Sequence, residues 1–591
     1  MSDTFAAHAS SMCAAFQATV ARNPDKVAVR TLRDRETMTF GAWDKRVRAL
    51  AAGFAALGVS HGDTVALVMA NRPEFYPIDV ALQHLGAAPF SLYNTSSPEQ
   101  IRYLLTDSGA KVVVCEEQYA AKIIASAGDS AVSAVVCIDG NPSGTVAIDD
   151  VVAQGDPDFD FESAWRAVRS DDVLTLIYTS GTTGDPKGVQ LTHANVLAMV
   201  DATERLVDAD DKDRMVSFLP SAHIADRWSA LYALEVIGDQ VTTVADRADF
   251  LATLVDVRPT ILGAVPQVWQ KLKAGIEQQV ADASGLKATL AQWALGVGRA
   301  ASDARLDGKP VAAALRIQER VADALVLSKL RAAIGLDGVR FAMSGAAPVS
   351  PDVLRFFNGV GVPVSDAWGM SELSGMATMS PPGQVRLGTV GLIVPGNEIR
   401  IAEDGEVLVR GPIVMKGYRN KPEKTAEAID ADGWVHSGDI GELDADGYLK
   451  IVDRKKELII NAGGKNMSPS NIENWVKAFS PLIGQAVAIG DNRKYNVALI
   501  SLDPDTAAAY AEKSGVAADP AVLAKDPGIH AQIERAVEQA NAKLSRIEQI
   551  KKFTIVPDFW EPGTEVLTPT MKLRRKPINE RYAAAIEELY G

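Results

Sequence analysis

Hydrophobic and polar residues along the first half of the chain follow a pattern that predicts helices and buried strands in turn. Residues 40–58 carry apolar side chains at helical spacing and end at a glycine, whereas residues 63–70 form the short apolar run of a buried strand. A helix over 74–86 follows, and then a helix over 98–110 that leads into a strand over 111–116. Such alternation predicts an α/β sheet with helices on its faces.

A glycine-rich loop, YTSGTTGDPKG, occupies Tyr178–Gly188 after another buried strand and before a helix over 192–207. Glycines let a backbone approach a ligand closely, and hydroxyl and amide groups donate to anionic oxygens. The loop therefore predicts a phosphate cradle at a strand-to-helix turn, where open α/β sheets bind ligands. It is not a Walker A loop, because Lys187 is followed by Gly188 rather than by serine or threonine.

The pattern changes twice in the second half. Residues from about 282 to 335 are alanine-rich and helical, which indicates an inserted helical region. From 388 to 448, short strands alternate with turns such as AEDGE and DADGY, which predicts a β-rich subdomain. A region of α+β character begins at about Asp453 and continues to Gly591. The expected fold class is thus α/β, with a large N-terminal part and a small C-terminal one.

Composition narrows the class of protein. Of 591 residues, 47% are hydrophobic and 23% charged, which is ordinary for a globular protein with a sizeable core. The formal net charge of −15 argues against nucleic acid as a main partner. Three cysteines without paired or metal-ligand spacing fit a reducing cytoplasm. No signal peptide, membrane span or basic amphipathic anchor is evident, so peripheral membrane contact is only a hypothesis here.

Eight motifs in order resemble the adenylate-forming superfamily, and most closely its long-chain fatty acyl-CoA synthetases, including the bubblegum type. They are YTSGTTGDPKGVQLTH, LPSAHIADR, VPQVWQKL, SGAAPVS, DAWGMSE, GWVHSGDIGELDADGYLKIVDRKKELI, GGKNMSPSNIE and LTPTMKLRR. The similarity runs from about residue 15 to 580. It implies an N-terminal AMP-binding domain with an acyl tunnel over 1–455 and a mobile C-terminal domain over 456–591.

The resemblance also implies activation of a fatty acid in two steps. The carboxylate attacks the α-phosphorus of ATP to give an acyl adenylate and pyrophosphate, and the thiol of coenzyme A then displaces AMP. Cationic and donor groups must offset the charge on the phosphates. The residues expected to do so for the β- and γ-phosphates are Thr179, Ser180, Gly181, Thr182, Thr183, Gly184 and Lys187.

The resemblance also implies which residues bind the nucleotide and its metal ion. Adenine would lie among Asp366, Ala367, Trp368, Gly369, Gly345, Ala346 and Ala347, with Ser371 near the α-phosphate and Asp439 with Arg454 at the ribose. Glu372 and the hydroxyl of Thr179 would hold Mg²⁺, since a cation that bridges phosphates needs few protein carboxylates. Most relatives have tyrosine in place of Trp368, so the aromatic face is kept and any phenol hydrogen bond is lost. Without the resemblance, residues 345–347 fit a helix-start turn and Asp439 a loop carboxylate.

The remaining predicted positions concern the acid and the second step. His223 would lie near the acyl carboxylate, and Trp269 at the mouth of the acyl tunnel; a buried histidine and a core tryptophan are the competing interpretations. Lys572 would reach the carboxylate in the first step, as opposed to lying in a basic tail. Lys456 is the expected pivot of a domain rotation. The loop that enters for the second step would be Gly463, Gly464 and Lys465.

Three other functions stay open at this point. The chain could form only the adenylate and load a carrier protein, although such ligases usually have a fused or partner carrier domain. It could also be a luciferase-like oxidising enzyme, or a protein that binds nucleotide or acyl ligands without catalysis. The joint presence of Lys187, Glu372, Asp439, Arg454 and Lys572 favours catalysis over sensing. Oligomeric state and chain-length preference are not readable from the sequence, although Trp269 and the helical insertion favour long chains.

Overall fold

The structure is a computed structural model that describes residues 4–179, 185–462, 466–568 and 571–591. Strands and helices alternate in its first part, as predicted. The strands are β1 (Val27–Thr31), β2 (Thr37–Thr39), β3 (Thr64–Val68), β4 (Ala88–Ser91), β5 (Val112–Cys115), β6 (Ala134–Cys137), β7 (Val146–Ala147) and β8 (Val173–Thr179). The helices are α1 (Met12–Arg22), α2 (Phe40–Ala56), α3 (Phe75–His84), α4 (Pro98–Ser108), α5 (Glu117–Ala127), α6 (Ile148–Ala153) and α7 (Phe161–Arg166).

Five of these strands form one parallel sheet in the order β4-β3-β5-β6-β7. Local sequence explains the helix ends on it. At α4, the Ser97 hydroxyl accepts from the backbone N–H of Gln100 and Pro98 fills the first turn, while Gly109 ends the helix in the left-handed region at φ +67°. Apolar side chains of α2, among them Trp43 and Phe54, are fully buried against this layer.

The middle of the chain adds three further sheets. Its strands are β9 (Lys187–Thr192), β10 (Arg214–Ser217), β11 (Gln240–Thr243), β12 (Ile261–Ala264), β13 (Phe341–Ser344), β14 (Val364–Trp368), β15 (Thr378–Met379), β16 (Leu392–Ile393), β17 (Glu398–Ile401), β18 (Glu406–Arg410), β19 (Gly417–Tyr418), β20 (Val435–Leu443) and β21 (Leu449–Arg454). Their orders are β10-β11-β1-β2, β12-β13-β14-β15-β16 and β17-β18-β20-β21, and β19-β9-β8 forms a small fourth sheet. The sheet over β17–β21 is the predicted β-rich subdomain.

The helices of this part include the insertion. They are α8 (His193–Val207), α9 (Ile224–Asp226), α10 (Ala233–Ile237), α11 (Phe250–Val257), α12 (Pro266–Ala281), α13 (Gly285–Leu306), α14 (Ala313–Ala322), α15 (Ser328–Ala333), α16 (Pro351–Gly359) and α17 (Pro422–Ala428). Two π-helical turns, Arg227–Tyr232 and Asp323–Leu327, join α9 to α10 and α14 to α15. The region from about 282 to 335 is therefore helical, as its alanine-rich composition indicates.

The prediction that the glycine-rich loop lies between a strand and a helix is wrong. β8 pairs antiparallel with β9, with Thr179 opposite Lys187 and Val173 opposite Thr192, so the loop joins two strands of a hairpin. The helix α8 begins only after β9. Val189 and Leu191 alternate inward and are fully buried, and this short period-2 pattern is the signal that the sequence interpretation overlooked.

The C-terminal part is a separate α+β unit. Its strands are β22 (Ile459–Ile460), β23 (Asn466–Met467), β24 (Ile483–Ile489), β25 (Asn496–Leu502) and β26 (Ile550–Ile555). Its helices are α18 (Pro469–Ala478), α19 (Pro504–Ser514), α20 (Pro520–Leu523), α21 (Pro527–Asn541), α22 (Arg575–Arg581) and α23 (Ala583–Tyr590). Buried residues of β24, β25, α18 and α21 form its own core. The α/β fold class with a smaller C-terminal unit is thus confirmed, whereas the division at residue 456 stays a prediction.

This C-terminal unit contacts the large N-terminal part. Lys271 Nζ of α12 lies 2.8 Å from Asp505 Oδ2 of α19. Gly563 packs so closely on Thr95 that a Cβ at this glycine would lie 3.1 Å from Thr95 Oγ1. These contacts bring the segment around Lys572 toward the edge of the N-terminal sheets.

Candidate active site

Two neighbouring parallel strands carry the predicted adenine residues at their carboxyl ends. β13 and β14 pair with Ser344 opposite Asp366, and Gly345 follows directly. Ala346 adopts φ +66°, a strained conformation for a residue with a Cβ. At Gly369 a Cβ would lie 2.1 Å from the carbonyl oxygen of Gly375, so only glycine fits. Backbone strain and close approach at one sheet edge are features of ligand sites.

Trp368 has a polar role that the sequence left open. Its indole Nε1 donates to Asp439 Oδ2 at 2.7 Å, and Arg454 Nε lies 3.0 Å from Asp439 Oδ1. Asp439 and Arg454 face each other across β20 and β21, which explains their fixed pairing. Burial raises the pKa of Asp439, and Arg454 and then Trp368 oppose that shift. The carboxylate predicted to bind ribose is therefore held by two donors from the protein.

Tyr418 links two predicted residues and was missed from the sequence. Its hydroxyl donates to Glu372 Oε1 at 2.7 Å, and Lys187 Nζ lies 4.2 Å from the centroid of its ring. β19 pairs with β9, so Tyr418 and Lys187 are brought together by the small sheet that holds the glycine-rich loop. Burial, and then Glu372, raise the pKa of the phenol. In the sequence, Tyr418 is only an aromatic residue in GYRNKPEKT, a segment without a recognisable binding or catalytic motif.

The residues for a divalent cation are few but suitable. Glu372 is largely buried after β14, and Thr179 ends β8. Within the described residues, no three His, Cys, Asp or Glu side chains gather into a metal site of their own. A single carboxylate with a nearby lysine suits a cation that is held mainly by phosphate oxygens rather than by a protein cage. The Thr179 and Glu372 pairing itself stays a prediction.

Lys572 and His223 come from distant parts of the chain into one charged region, which also includes Asp439, Glu372 and Arg454 and is called the cleft below. Lys572 is exposed, yet partial desolvation and then repulsion from Arg454 lower its pKa, while Asp439 and Glu372 act in the opposite direction. Burial, followed by the charge of Lys572, lowers the pKa of His223 to about 4. These charges can influence one another only at close range. His223 is therefore neutral at pH 7, while its Nδ1 accepts from the backbone N–H of Ala225 at 3.1 Å.

Trp269 lies in the core rather than at an open surface. It is fully buried in α12, its Nε1 donates to the Met343 carbonyl at 3.2 Å, and its ring meets Phe357 edge-on at 4.9 Å between centroids. This packing is that of a core tryptophan, and the gate role stays a prediction.

The structure shows where several other predicted residues lie, while their roles stay predictions. Asp366 lies near the carboxyl end of β14, where burial raises its pKa. Ala367 follows it on the same strand, Ala347 comes shortly after β13, and Ser371 comes shortly after β14. Lys456 is exposed in the turn after β21, where a pivot would be accessible. The remaining predicted residues lie outside the described part of the chain: Ser180, Gly181, Thr182, Thr183, Gly184, Gly463, Gly464 and Lys465.

A cavity with mostly apolar walls lies between β10, β12, β13 and α8, close to the residues predicted to bind adenine. Its walls include Met215, Trp228, Ile237, Phe341 and Met343. Met343 lies two residues before Gly345, so the cavity is close to the predicted adenine wall. Its free volume is about 30 Å³, enough for about one or two water molecules, so the cavity as it stands does not hold an acyl chain.

Comparison with known proteins identifies the family. The chain matches the profile described as AMP-binding enzyme over residues 16–419, and that of the AMP-binding enzyme C-terminal domain over residues 456–591. The protein therefore belongs to the AMP-binding enzyme family, and the resemblance indicated by its motifs is confirmed.

Relatives of known name cover most of the chain. The fadD11 protein of Mycobacterium tuberculosis is 55% identical over 450 residues, which are 76% of this chain and 79% of that protein. The long-chain-fatty-acid–CoA ligase FadD15 of Mycobacterium tuberculosis is 38% identical over 584 residues, covering 96% and 95%. The long-chain-fatty-acid–CoA ligase ACSBG2 of Gallus gallus is 32% identical over 624 residues, covering 98% and 80%.

Solved structures share the fold. The A-PCP didomain of carboxylic acid reductase from Segniliparus rugosus in complex with AMP superposes with a TM-score of 0.75 at 19% identity, covering 99% of this chain and 83% of that one. The anthranilate CoA ligase AuaEII in complex with anthranoyl-AMP gives a TM-score of 0.73 at 18% identity, covering 97% and 98%. Among the described residues, no helix has the length and hydropathy that a membrane crossing requires.

Proposed function

We propose that this protein is an AMP-forming long-chain fatty acid–CoA ligase. It converts a fatty acid and ATP to acyl adenylate and pyrophosphate, and then transfers the acyl group to the thiol of coenzyme A with release of AMP. Two relatives, covered over 95% and 80% of their own length, are named long-chain-fatty-acid–CoA ligases. The observation that carries the proposal is the hydrogen-bonded group of Trp368, Asp439 and Arg454 together with the Tyr418–Glu372 pair, at the positions that the motifs assign to the nucleotide and its metal.

The first step brings two anions together, so it needs cations near both. Lys572 would meet the acyl carboxylate and the α-phosphate, and Lys187, at the start of β9, would approach the outer phosphates. Asp439, held by Trp368 and Arg454, would accept from the ribose hydroxyls. Because Nδ1 of neutral His223 accepts from the backbone N–H of Ala225, Nε2 carries the proton and would donate to the reacting oxygens without adding charge. Preorganised donors of this kind lower the barrier because they need no rearrangement as charge develops.

Candidate residues are also available for Mg²⁺ and for the change of arrangement before the second step. Glu372, with Thr179 at the end of β8, would hold Mg²⁺, which when bound neutralises negative charge on the phosphates. The second step attacks a neutral acyl carbon, so it does not need Lys572. Lys456 would allow the C-terminal unit to rotate and bring residues 463–465 to the cleft for that step.

The names of the relatives support a long acyl chain, since FadD15 and ACSBG2 are both named long-chain-fatty-acid–CoA ligases. Each buried CH₂ contributes about 0.8 kcal/mol, so affinity should rise steeply with chain length if the tail is buried on binding. We expect kcat/KM to increase from C8 toward C16. A maximum at C2 to C6 would exclude the long-chain assignment and leave the reaction class intact.

One coupled assay tests the proposal. ATP, Mg²⁺, palmitate and coenzyme A are mixed with the protein, and AMP and palmitoyl-CoA are quantified. Equal amounts of both products are expected. AMP that appears only with an acyl carrier protein would indicate an adenylate-only ligase, and absence of turnover with every acid would indicate a binding protein.

A further inference from the structure

The inserted helices present an apolar stripe to solvent. Ile317, Val321 and Leu325 follow one another at intervals of four residues along α14 and the π-helical turn after it, and they are 64%, 45% and 50% exposed. Neighbouring Ala322 and Leu327 are buried, so the same helix also contributes to the core. An exposed row of large aliphatic side chains needs an explanation, because single exposed residues are common but aligned ones are not.

The neighbouring helix adds two more exposed apolar residues. On α13, Leu286 is 75% exposed and Trp293 is 36% exposed, and their spacing of seven residues places them on one face. α13 and α14 form an antiparallel hairpin: Arg305 Nη1 donates to Glu319 Oε1 at 2.7 Å, and Gly298 packs on Leu327. Both helices of the insertion thus expose apolar side chains.

Cations flank these residues. Lys287 follows Leu286, Arg316 and Arg320 lie beside Ile317 and Val321, and Lys329 lies one turn beyond Leu325. All four are exposed, and in the described part of the chain none of them forms an ion pair. Residues 285–333 contain eight Lys or Arg and four Asp or Glu, in a chain whose formal net charge is −15. Positive charge is therefore concentrated around the stripe.

We propose that this surface docks on an anionic lipid bilayer. An apolar stripe alone would suit another protein equally well, but unpaired cations beside large aliphatic residues match acidic headgroups above an acyl layer. The indole of Trp293, which is exposed on the neighbouring helix α13, suits the headgroup level, since its ring is amphipathic. The binding does not depend on the proposed activity, although a water-insoluble substrate would give it a purpose.

The proposal differs from the sequence analysis, which finds no basic amphipathic anchor. Periodicity alone does not tell which side of a helix the rest of the domain covers. The structure places other residues of the helix in the core and leaves this row in solvent.

Flotation of the purified full-length protein with vesicles tests the proposal. Vesicles of phosphatidylcholine with and without phosphatidylserine are compared at low and high salt. We expect binding to the anionic vesicles that weakens with salt and is much lower on phosphatidylcholine alone. The variant Ile317→Gln/Val321→Gln/Leu325→Gln should lose at least about tenfold in the vesicle partition coefficient. Arg316→Gln/Arg320→Gln should lose the salt-dependent part.

Val522→Gln/Ile547→Gln is the matched control, because these residues are 45% and 47% exposed in the C-terminal unit. It should bind as the unchanged protein does. Circular dichroism and AMP formation with octanoate, which needs no bilayer, check that the variants fold. Unchanged flotation of the stripe variant, or no binding of the unchanged protein, would overturn the proposal. So would a dimer that the stripe substitutions dissociate, which would make a second copy the occupant.

Discussion

The charged side chains around Arg227 and those around Lys572 are arranged in opposite ways, although Arg227 and His223, one member of each group, lie only four residues apart. Arg227 is fully buried and ion-paired with the equally buried Asp79, and it also donates to the Tyr232 hydroxyl at 3.1 Å and to the Pro89 carbonyl at 3.1 Å. His223, four residues earlier, faces the cleft with Lys572. In the described residues Lys572 Nζ has neither a hydrogen-bond acceptor nor an ion-pair partner.

This difference distinguishes charged residues that stabilise the fold from charged residues that are available to bind a ligand. A buried charge costs several kcal/mol unless it is paired and hydrogen-bonded, and Arg227 is both. Lys572 is exposed and Lys187 is half-buried against the Tyr418 ring, so each keeps partial contact with solvent, which makes an ammonium without an ion-pair partner in the described residues tolerable. Substitutions in the core should therefore change stability, and substitutions in the cleft should change turnover with stability retained.

Lys572→Ala should have the largest effect. Adenylation should slow by several orders of magnitude, because positioning and electrostatic stabilisation each contribute a factor of about 10² or more. Thioester formation from prepared palmitoyl-AMP and coenzyme A should be nearly unchanged. The two half-reactions are measured separately, with Lys576→Ala as control, since Lys576 is 75% exposed on the same segment. Equal losses in both half-reactions would show that Lys572 acts structurally.

Arg227→Leu should be the most destabilising change in the core. It leaves the Asp79 carboxylate buried without its partner, which typically costs about 3–5 kcal/mol in the free energy of unfolding. Urea denaturation followed by tryptophan fluorescence measures it. Asp79→Leu/Arg227→Leu should be less destabilised than the sum of the two single variants. A loss below about 1 kcal/mol for Arg227→Leu would refute the role of this pair.

Tyr418→Phe should have an intermediate effect on turnover. It removes the hydrogen bond to Glu372 and keeps the ring beneath Lys187, so kcat/KM for ATP should fall about tenfold and more Mg²⁺ should be needed. Tyr448→Phe is the control, since the Tyr448 hydroxyl donates to the Gln384 carbonyl at 3.0 Å in the β-rich subdomain. An unchanged Mg²⁺ requirement would mean that Tyr418 does not position Glu372.

Trp368→Phe should have the smallest effect. The aromatic face beside adenine is retained and only the donor to Asp439 is lost, so KM for ATP should rise about three- to tenfold with kcat little changed. Trp434→Phe provides a comparison, because Trp434 lies beneath Arg400 at 4.1 Å in the β-rich subdomain. If Trp368→Phe lowers kcat as strongly as KM rises, Trp368 acts on the chemistry rather than on the ribose contact.

Much of this arrangement was predictable from the sequence because it is local. The alternation of apolar periods gives the sheets, and the glycine-rich loop, DAWGMSE and HSGDIG carry their chemistry within a few residues. Asp439 and Arg454, which the motifs assign to one site, lie opposite each other on β20 and β21 and form an ion pair, while their ribose role stays a prediction.

What the sequence did not predict depends on contacts between distant segments. Tyr418 meets Lys187 through the pairing of β19 with β9, and Trp368 reaches Asp439 across two sheets. Lys572 approaches His223 through the docking of the C-terminal unit on the N-terminal part. No local pattern encodes these distances. The hairpin at the glycine-rich loop is different, since Val189 and Leu191 did carry a readable strand signal.

Transfer of an oxygen atom tests the central claim most directly. Palmitate labelled with ¹⁸O in its carboxylate is incubated with ATP, Mg²⁺, coenzyme A and the protein, and the AMP is analysed by mass spectrometry. If the carboxylate attacks the α-phosphorus, each AMP should carry one ¹⁸O from the acid. Palmitoyl-CoA formed together with ADP, or with unlabelled AMP, would contradict an acyl adenylate and with it the roles assigned to the cleft.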